Sequence, residues 1–470
     1  METALTWIDQ HSEALIRLAD TIWEYAEVGL REHKSSAAQI KFLEEEGFTV
    51  TTGVGGMPTA FVASYGQGKP IIGFLGEFDA LPGLSQKRVP VRDPVKEGAP
   101  GHGCGHNLLG TAALGAAVAI RKEMEATGLV GTVRYYGCPA EETLVGKVFM
   151  AREGVFNDLD AALTWHPMHL NSVWMSQSLA MNSVRFVFHG QAAHAAAQPH
   201  MGISALDAVE LMNIGVNFLR EHVIPDARIH YVITRGGGEP NVVPPVAEVW
   251  YYVRAPRRTQ VDEIYARVLK IAEGAALMTG ARLEVNFQVG CYDFLANPVV
   301  SQLMVDSLKR VGPPKFTEEE KAFARQIEES FAPGQKETVM RGMSAPKETW
   351  DLTLHQDVAD IFDAGKILPG STDVGDVSWI TATGQITTAT YVIGTASHSW
   401  QVAAAAGTGI GQRSMLVAAR GLAATACELF TKPEVLAQAR EAFLKDTAGK
   451  PYVSPLPPDL KPPLEQLAEH

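Results

Sequence analysis

The sequence predicts an α/β protein: a mainly parallel sheet flanked by helices, interrupted by an inserted ferredoxin-like α+β module. Three observations carry this. Apolar strand-like runs alternate with helix-period segments up to about residue 180. The texture then changes to the order β-α-β-β-α-β. The first alternation resumes after about 292. The expected organisation is a discontinuous domain, 1–180 and 292–470, holding a dimerisation or lid module at 181–291.

Residues 5–26 place Leu5, Ile8, Leu15, Ile16, Leu18, Ile22 and Trp23 at helical spacing, with acids between them. A second helix fits 34–46 and stops at Gly47. Phe48-Thr-Val, Thr59-Ala-Phe-Val-Ala-Ser and Ile71-Ile-Gly-Phe-Leu read as strands. A helix over 105–126 precedes the strands Thr132-Val-Arg-Tyr-Tyr and Ala161-Ala-Leu-Thr-Trp. In the module, Val184-Arg-Phe-Val-Phe alternates. A helix covers about 202–221, strands lie near 228–234 and 246–254, a helix spans 260–279, and a strand spans 281–288. The polar stretch 312–350, with Pro313-Pro and the charged 318–328, reads as an inserted helix plus a mobile loop. A strand follows at 388–393, and the six prolines of 451–463 read as an extended surface strap.

Hydrophobic residues make up 46% of the 470, enough for a sizeable core. The formal net charge of -13 argues against a partner that is nucleic acid or an anionic membrane, because the summed field repels polyanions. Four cysteines are too sparse for a disulfide framework. The N-terminus lacks a charged segment followed by an apolar one, and no apolar run reaches membrane-spanning length. A cytoplasmic enzyme is the expectation.

Four segments carry chemistry. In Gly101-His-Gly-Cys-Gly-His-Asn107, Cys104 and His106 stand two residues apart in a Gly-rich turn ahead of a helix. A thiolate and an imidazole converging on one point suit zinc or a similar transition metal. Cys138-Pro-Ala-Glu-Glu142 follows a strand, so one carboxylate can bind metal while its neighbour takes a proton from water. Trp165-His166-Pro167 and Gly394-Thr-Ala-Ser-His398 also end apolar strands. Singly, each has a bland reading: a loop, a solvated acidic turn, a structural histidine. Together, Cys104, His106, Glu142, His166 and His398 are too many for one tetrahedral ion and fit two divalent ions with a bridging ligand.

Across nearly the whole chain the motifs resemble the aminoacylase/carboxypeptidase metallopeptidase family, in the amidohydrolase branch that includes hippurate and auxin-conjugate hydrolases. The likeness rests on Gly76-Glu-Phe-Asp-Ala-Leu-Pro-Gly-Leu-Ser, the Gly101 segment, Arg152-Glu-Gly-Val-Phe, Ala161-Ala-Leu-Thr-Trp-His-Pro, Ala193-His-Ala-Ala and Ser371-Thr-Asp-Val-Gly-Asp-Val-Ser-Trp. The resemblance implies that Cys104 bridges two metals, that His106 and His166 complete one site, and that Glu142 and His398 complete the other. It makes Glu141 the general base and then the acid. Where other branches place a ligand histidine this chain has Glu77, which leaves His106 as the imidazole and Asp79 to orient a ligand. His194 matches a histidine that reaches substrate across a dimer interface, and Asn241 and Arg254 match positions that bind the substrate carboxylate. The implied cofactors are two zinc or manganese ions. The implied substrate is an N-acyl amino acid, foremost p-aminobenzoyl-glutamate or a related aroyl or arylacetyl conjugate. Rival readings are a broader dipeptidase or carboxypeptidase, and a non-catalytic subunit of a hetero-oligomer. The implied assembly is a homodimer, or a heterodimer with a related subunit. Cys138 and Thr143-Leu-Val depart from the branch pattern, and the second of these segments is expected at the acyl pocket, so the departure bears on the acyl group and not on the chemistry.

Overall fold

The computed structural model describes residues 1–465, so 466–470 of the expected second segment lie outside the described residues. The chain opens with α1 (Glu2–Gln10), α2 (Ser12–Tyr25), α3 (His33–Glu45), β1 (Thr49–Thr52), β2 (Phe61–Gln67) and β3 (Ile71–Glu77). Then come α4 (His106–Thr127), β4 (Gly131–Cys138), α5 (Gly146–Arg152), β5 (Ala161–Met168) and β6 (Ser172–Val173). A second group comprises β7 (Ala180–His189), α6 (Ala205–Leu219), β8 (Arg228–Arg235), β9 (Val246–Ala255), α7 (Arg258–Thr279) and β10 (Arg282–Cys291). The remainder holds α8 (Pro298–Val311), α9 (Glu318–Glu329), α10 (Gln335–Gly342), α11 (Val374–Ser378), β11 (Ala382–Ala389), α12 (Trp400–Ala406), α13 (Gly409–Thr431) and α14 (Pro433–Asp446).

Seven strands form one sheet in the order β1-β2-β4-β3-β5-β11-β6. Its centre, β4-β3-β5-β11, is parallel, while β1, β2 and β6 join antiparallel at the edges. The sheet is therefore mixed. β3 and β11 are buried at every residue, as parallel strands covered on both faces must be. The alanines of α4 let it pack closely against α13, and α4 is buried on nearly all sides.

The other sheet has the order β10-β7-β9-β8, antiparallel throughout, with α6 and α7 packed on it and on each other. This is the ferredoxin-like arrangement. Its core includes Val184, Phe186, Val249 and Val268. The buried Arg258 guanidinium donates to the carbonyls of Met181 (3.0 Å) and Cys291 (3.2 Å), bracing the two connections between the sheets.

Three local expectations differ from what is found. The helix expected over 5–26 is two helices broken at His11, whose ring stacks on Trp7 at 4.5 Å. The stretch 312–350 holds two helices, not one, and α9 starts from a Thr317–Glu320 capping box. The strand expected at 388–393 lies at Ala382–Ala389, after which Thr390 and Tyr391 turn back to bond the Met168 carbonyl. Among the described residues no helix is long and apolar enough to cross a membrane.

Candidate active site

The parallel strands β3, β4, β5 and β11 deliver their carboxyl ends to one side of the sheet, where open α/β folds bind ligands. β3 ends at Glu77, β4 runs into the Glu141–Glu142 turn, β5 carries His166, and β11 leads to the turn that holds His398. The N-terminus of α4 brings in Cys104 and His106. The Gly-rich approach is sterically required: a Cβ at Gly101 would stand 2.0 Å from the Leu84 carbonyl oxygen. Ala140 (φ 54°), Leu144 (φ 59°) and His398 (φ 55°) all adopt left-handed backbone, which side chains disfavour and which clusters at functional sites. The Ala140 turn is pinned by its own N–H donating to Glu32 Oε1 at 2.8 Å.

Cys104, His106 and His166 offer donor atoms within 4.8 Å of one another, and so do Cys104, Glu142 and His398. The two triads share the thiol. Cys104 Sγ lies 3.4 Å from His166 Nε2, and His398 Nε2 lies 3.3 Å from Glu142 Oε2. The outward nitrogens are already engaged. His166 Nδ1 stands 2.8 Å from the Pro167 carbonyl, and His106 Nδ1 stands 2.9 Å from Asp79 Oδ1. Both rings thus turn Nε2 to the site, the usual support for a metal-binding imidazole. Asp79 also accepts from the Glu142 N–H at 2.9 Å. His106 Nε2 and Glu142 Oε1 are buried without a hydrogen-bond partner. Orphaned donor atoms at the shared centre of two soft-and-hard ligand sets fit a pair of divalent ions.

Electrostatics agree with that fit. Burial pushes the Cys104 thiol up to about 12, with Glu142 adding to the effect, so a thiolate here requires a cation beside it. Burial, then His106, lowers His166 to about 4, leaving a neutral imidazole able to ligate. Burial raises Glu141 well above the ordinary carboxylate range, helped by Glu77 and Asp373. That is the direction a carboxyl needs if it is to give a proton back near neutrality.

A cavity of about 420 Å³ opens over these groups, lined also by Leu144, Trp174, Arg254, Val339, Met343 and Ser371. Arg254 Nη1 donates to Ser371 Oγ at 3.1 Å, and its Nε is buried without a partner. His194 and Asn241 lie elsewhere in the same chain. Both are exposed, and their backbones meet through the Ala195 N–H and the Asn241 carbonyl at 2.9 Å. The fold thus gathers Cys104, His106, Glu141, Glu142, His166, His398, Asp79 and Arg254, but not His194 or Asn241.

Sequence reading missed Lys147, which is 0% exposed. Its Nζ lies 2.7 Å from Glu77 Oε1 and 2.5 Å from Asp373 Oδ1. Glu77 Oε2 is in turn 3.3 Å from His106 Nε2. A lone lysine in a short apolar helix gives no sequence signal of this; the Ser371-Thr-Asp motif did mark its partner. Trp174, Val339 and Met343 were missed too, since single apolar residues read as core.

Residues 179–277 match the profile of the peptidase dimerisation domain. One of the subunits of the p-aminobenzoyl-glutamate hydrolase of Escherichia coli (strain K12) is 44% identical over 459 residues, covering 95% of this chain and 95% of that protein. The chain belongs to the M20 peptidase family. The Xaa-Arg dipeptidase of Mus musculus is 28% identical over 93% of the chain and 90% of its own length. A dinuclear metal binding peptidase of the M20 family from Bacillus subtilis has the same fold, with a TM-score of 0.59 at 18% identity over 90% of this chain and 99% of that one. This M20 protein is an amidohydrolase, as its motifs implied.

Proposed function

We propose that the chain hydrolyses the amide bond of an N-acyl amino acid, with p-aminobenzoyl-glutamate, split to p-aminobenzoate and glutamate, as the leading substrate. The observation that carries this reading is the pair of ligand triads sharing Cys104. Cys104, His106 and His166 would hold one divalent ion, and Cys104, Glu142 and His398 the other. Such a pair lowers the pKa of a shared water and polarises the amide carbonyl. Zinc suits the shared thiolate on softness; the imidazoles and the carboxylate also accept manganese.

The chain's own groups do the rest. Glu141, raised by burial and by Glu77, takes a proton from the attacking water and returns it to the leaving amine. Asp79 keeps His106 in one tautomer and holds the Glu142 backbone. Arg254 presents a guanidinium with a free Nε to the substrate carboxylate, and Ser371 fixes its orientation. His194 and Asn241, exposed and away from the cavity, act on the site of a second subunit. The module 181–291 is read as that dimerisation and lid unit, supported by the match to a peptidase dimerisation domain. The partner is a second copy or a related chain, since the similar E. coli protein is by name one of two different subunits of its hydrolase. Four free buried cysteines fit a reducing cytoplasm.

Metal content and turnover measured on the purified chain test the assignment. Two ions per chain are expected at saturation. Glu141→Gln should cut kcat by about 10²–10⁴ with both ions retained, whereas Glu142→Gln should lose one ion. Saturation at one ion, or equal metal loss in both variants, would refute the division of roles.

A further inference from the structure

α10 stands on the turn that carries His398. The Gln335 side-chain amide donates to the Gly394 carbonyl at 3.0 Å, and a Cβ at Gly394 would sit 2.6 Å from Lys336 Cγ. Met340 is fully buried in a small apolar cluster with Leu170, Ala345 and Ile393. The helix is thereby locked to the catalytic sheet. Val339 and Met343, four residues apart and so on one face, line the active-site cavity, and Met343 also packs on the edge of that cluster. Trp174 lines the same cavity. Its ring meets His166 edge-on at 5.7 Å, and its Nε1 is buried with no partner.

The cavity lining thus combines two kinds of group. One is Arg254 with Ser371, two residues before Asp373 of the Lys147 network, and is suited to a carboxylate. The other, tied through α10 to the His398 turn, is apolar, with a thioether, a valine and an indole carrying one unmatched N–H.

We propose that Val339 and Met343, together with Trp174 of the same cavity, form the acyl wall that meets the acyl group when the substrate carboxylate is on Arg254, and are specificity-determining residues that favour a flat aryl acyl group over a small or flexible one. The assignment rests on the N-acyl amino acid reading above. A methionine sulfur packs well against an aromatic ring, the wall shuts water from its faces, and the indole N–H meets an acceptor on the acyl group or its ring substituent. Gln385, whose backbone carbonyl accepts from the Trp174 backbone N–H at 2.8 Å, adds a neutral amide to the lining, while the three wall residues carry no charge to pair with a charged acyl group, so their selectivity is by shape and apolar area.

The test compares kcat/KM for p-aminobenzoyl-glutamate, hexanoyl-glutamate and N-acetylglutamate. In Met343→Ala and in Val339→Ala, the aroyl-to-acetyl ratio should fall about tenfold, through KM, in line with the worth of one or two apolar groups in a pocket. Glu337→Gln, on the exposed face of α10, should leave the ratio unchanged. A ratio that is unaltered in both alanine variants overturns the wall. A wild-type chain that prefers hexanoyl-glutamate to the aroyl conjugate overturns the choice of an aryl group. Calorimetry with p-aminobenzoate, the acyl product, gives a readout free of turnover. About tenfold weaker binding to Met343→Ala supports the wall and equal binding overturns it, even should the substrate reading itself fail.

Discussion

Lys147 keeps a charge where no water reaches. Burial alone would strip its proton, but Asp373 and then Glu77 hold its ammonium charged, well above the ordinary lysine value. The lysine's own backbone N–H also donates to Asp373 Oδ2 at 2.8 Å. Removing one member of such a cluster leaves the others buried and unpaired. Lys147→Met should therefore cost about 3–5 kcal/mol of stability, read from urea midpoints at constant slope. Its metal content should fall as well, because Glu77, released from the ammonium, sits 3.3 Å from the site-facing nitrogen of His106. A destabilised variant with unchanged metal affinity would show that the cluster serves the fold alone.

At the scale of elements, the turn between β4 and α5 decides where the Glu141 and Glu142 carboxylates, the proposed base and the proposed ligand, point. It enters through left-handed Ala140, leaves through left-handed Leu144, and closes where Gly146 lies against the strand end. A Cβ at Gly146 would stand 1.9 Å from the Pro139 carbonyl oxygen. The backbone of the Glu pair has no freedom to yield, because the Ala140 N–H is held by the buried Glu32 carboxylate, itself bonded by the Thr59 hydroxyl at 3.0 Å. Gly146→Ala should thus lower stability by about 1–3 kcal/mol as an overpacked site. It should also reduce kcat more than an equally destabilising core change far from the turn. Thermal melts paired with kcat for Gly146→Ala and for a distant control such as Val268→Ala separate the two effects.

In the whole molecule, two sheets are joined at 180 and 291, and the tail crosses the second joint. Tyr292 packs at a tilt between Trp379 (5.3 Å) and Tyr452 (5.1 Å), and its hydroxyl donates to the Val453 carbonyl at 3.0 Å. The Tyr452 hydroxyl donates to Asp376 Oδ1 at 2.7 Å, and Arg152 donates to the Pro457 carbonyl at 3.4 Å. The proline strap therefore ties the joint to the catalytic sheet. His194 sits beyond that joint, exposed, which is the basis for assigning it to a partner's site. Mixing the inactive Glu141→Gln and His194→Ala chains under subunit exchange should restore part of the activity, up to about a quarter of the wild-type sites. Exchange demonstrated by mass, with no activity regained, would return His194 to its own subunit or remove it from catalysis.

The sequence by itself determined the candidate ligand set and the order of elements. Cys104, His106, Glu142, His166 and His398 each stand in a short motif at a strand end or helix start, so residue type and local geometry are read together. The β-α-β-β-α-β order of the second sheet was likewise legible, because its periodicities differ segment by segment. Only the tertiary structure decided that the main sheet is mixed, since strand direction depends on crossovers and not on local pattern. It alone paired Lys147 with Glu77 and Asp373, residues 70 and 226 positions away in the chain, a contact that no local periodicity encodes. It alone brought Val339 and Met343 to the cavity while burying Met340 fully. An apolar residue looks the same in sequence whether it covers a core or a substrate; which one it meets is set by long-range packing.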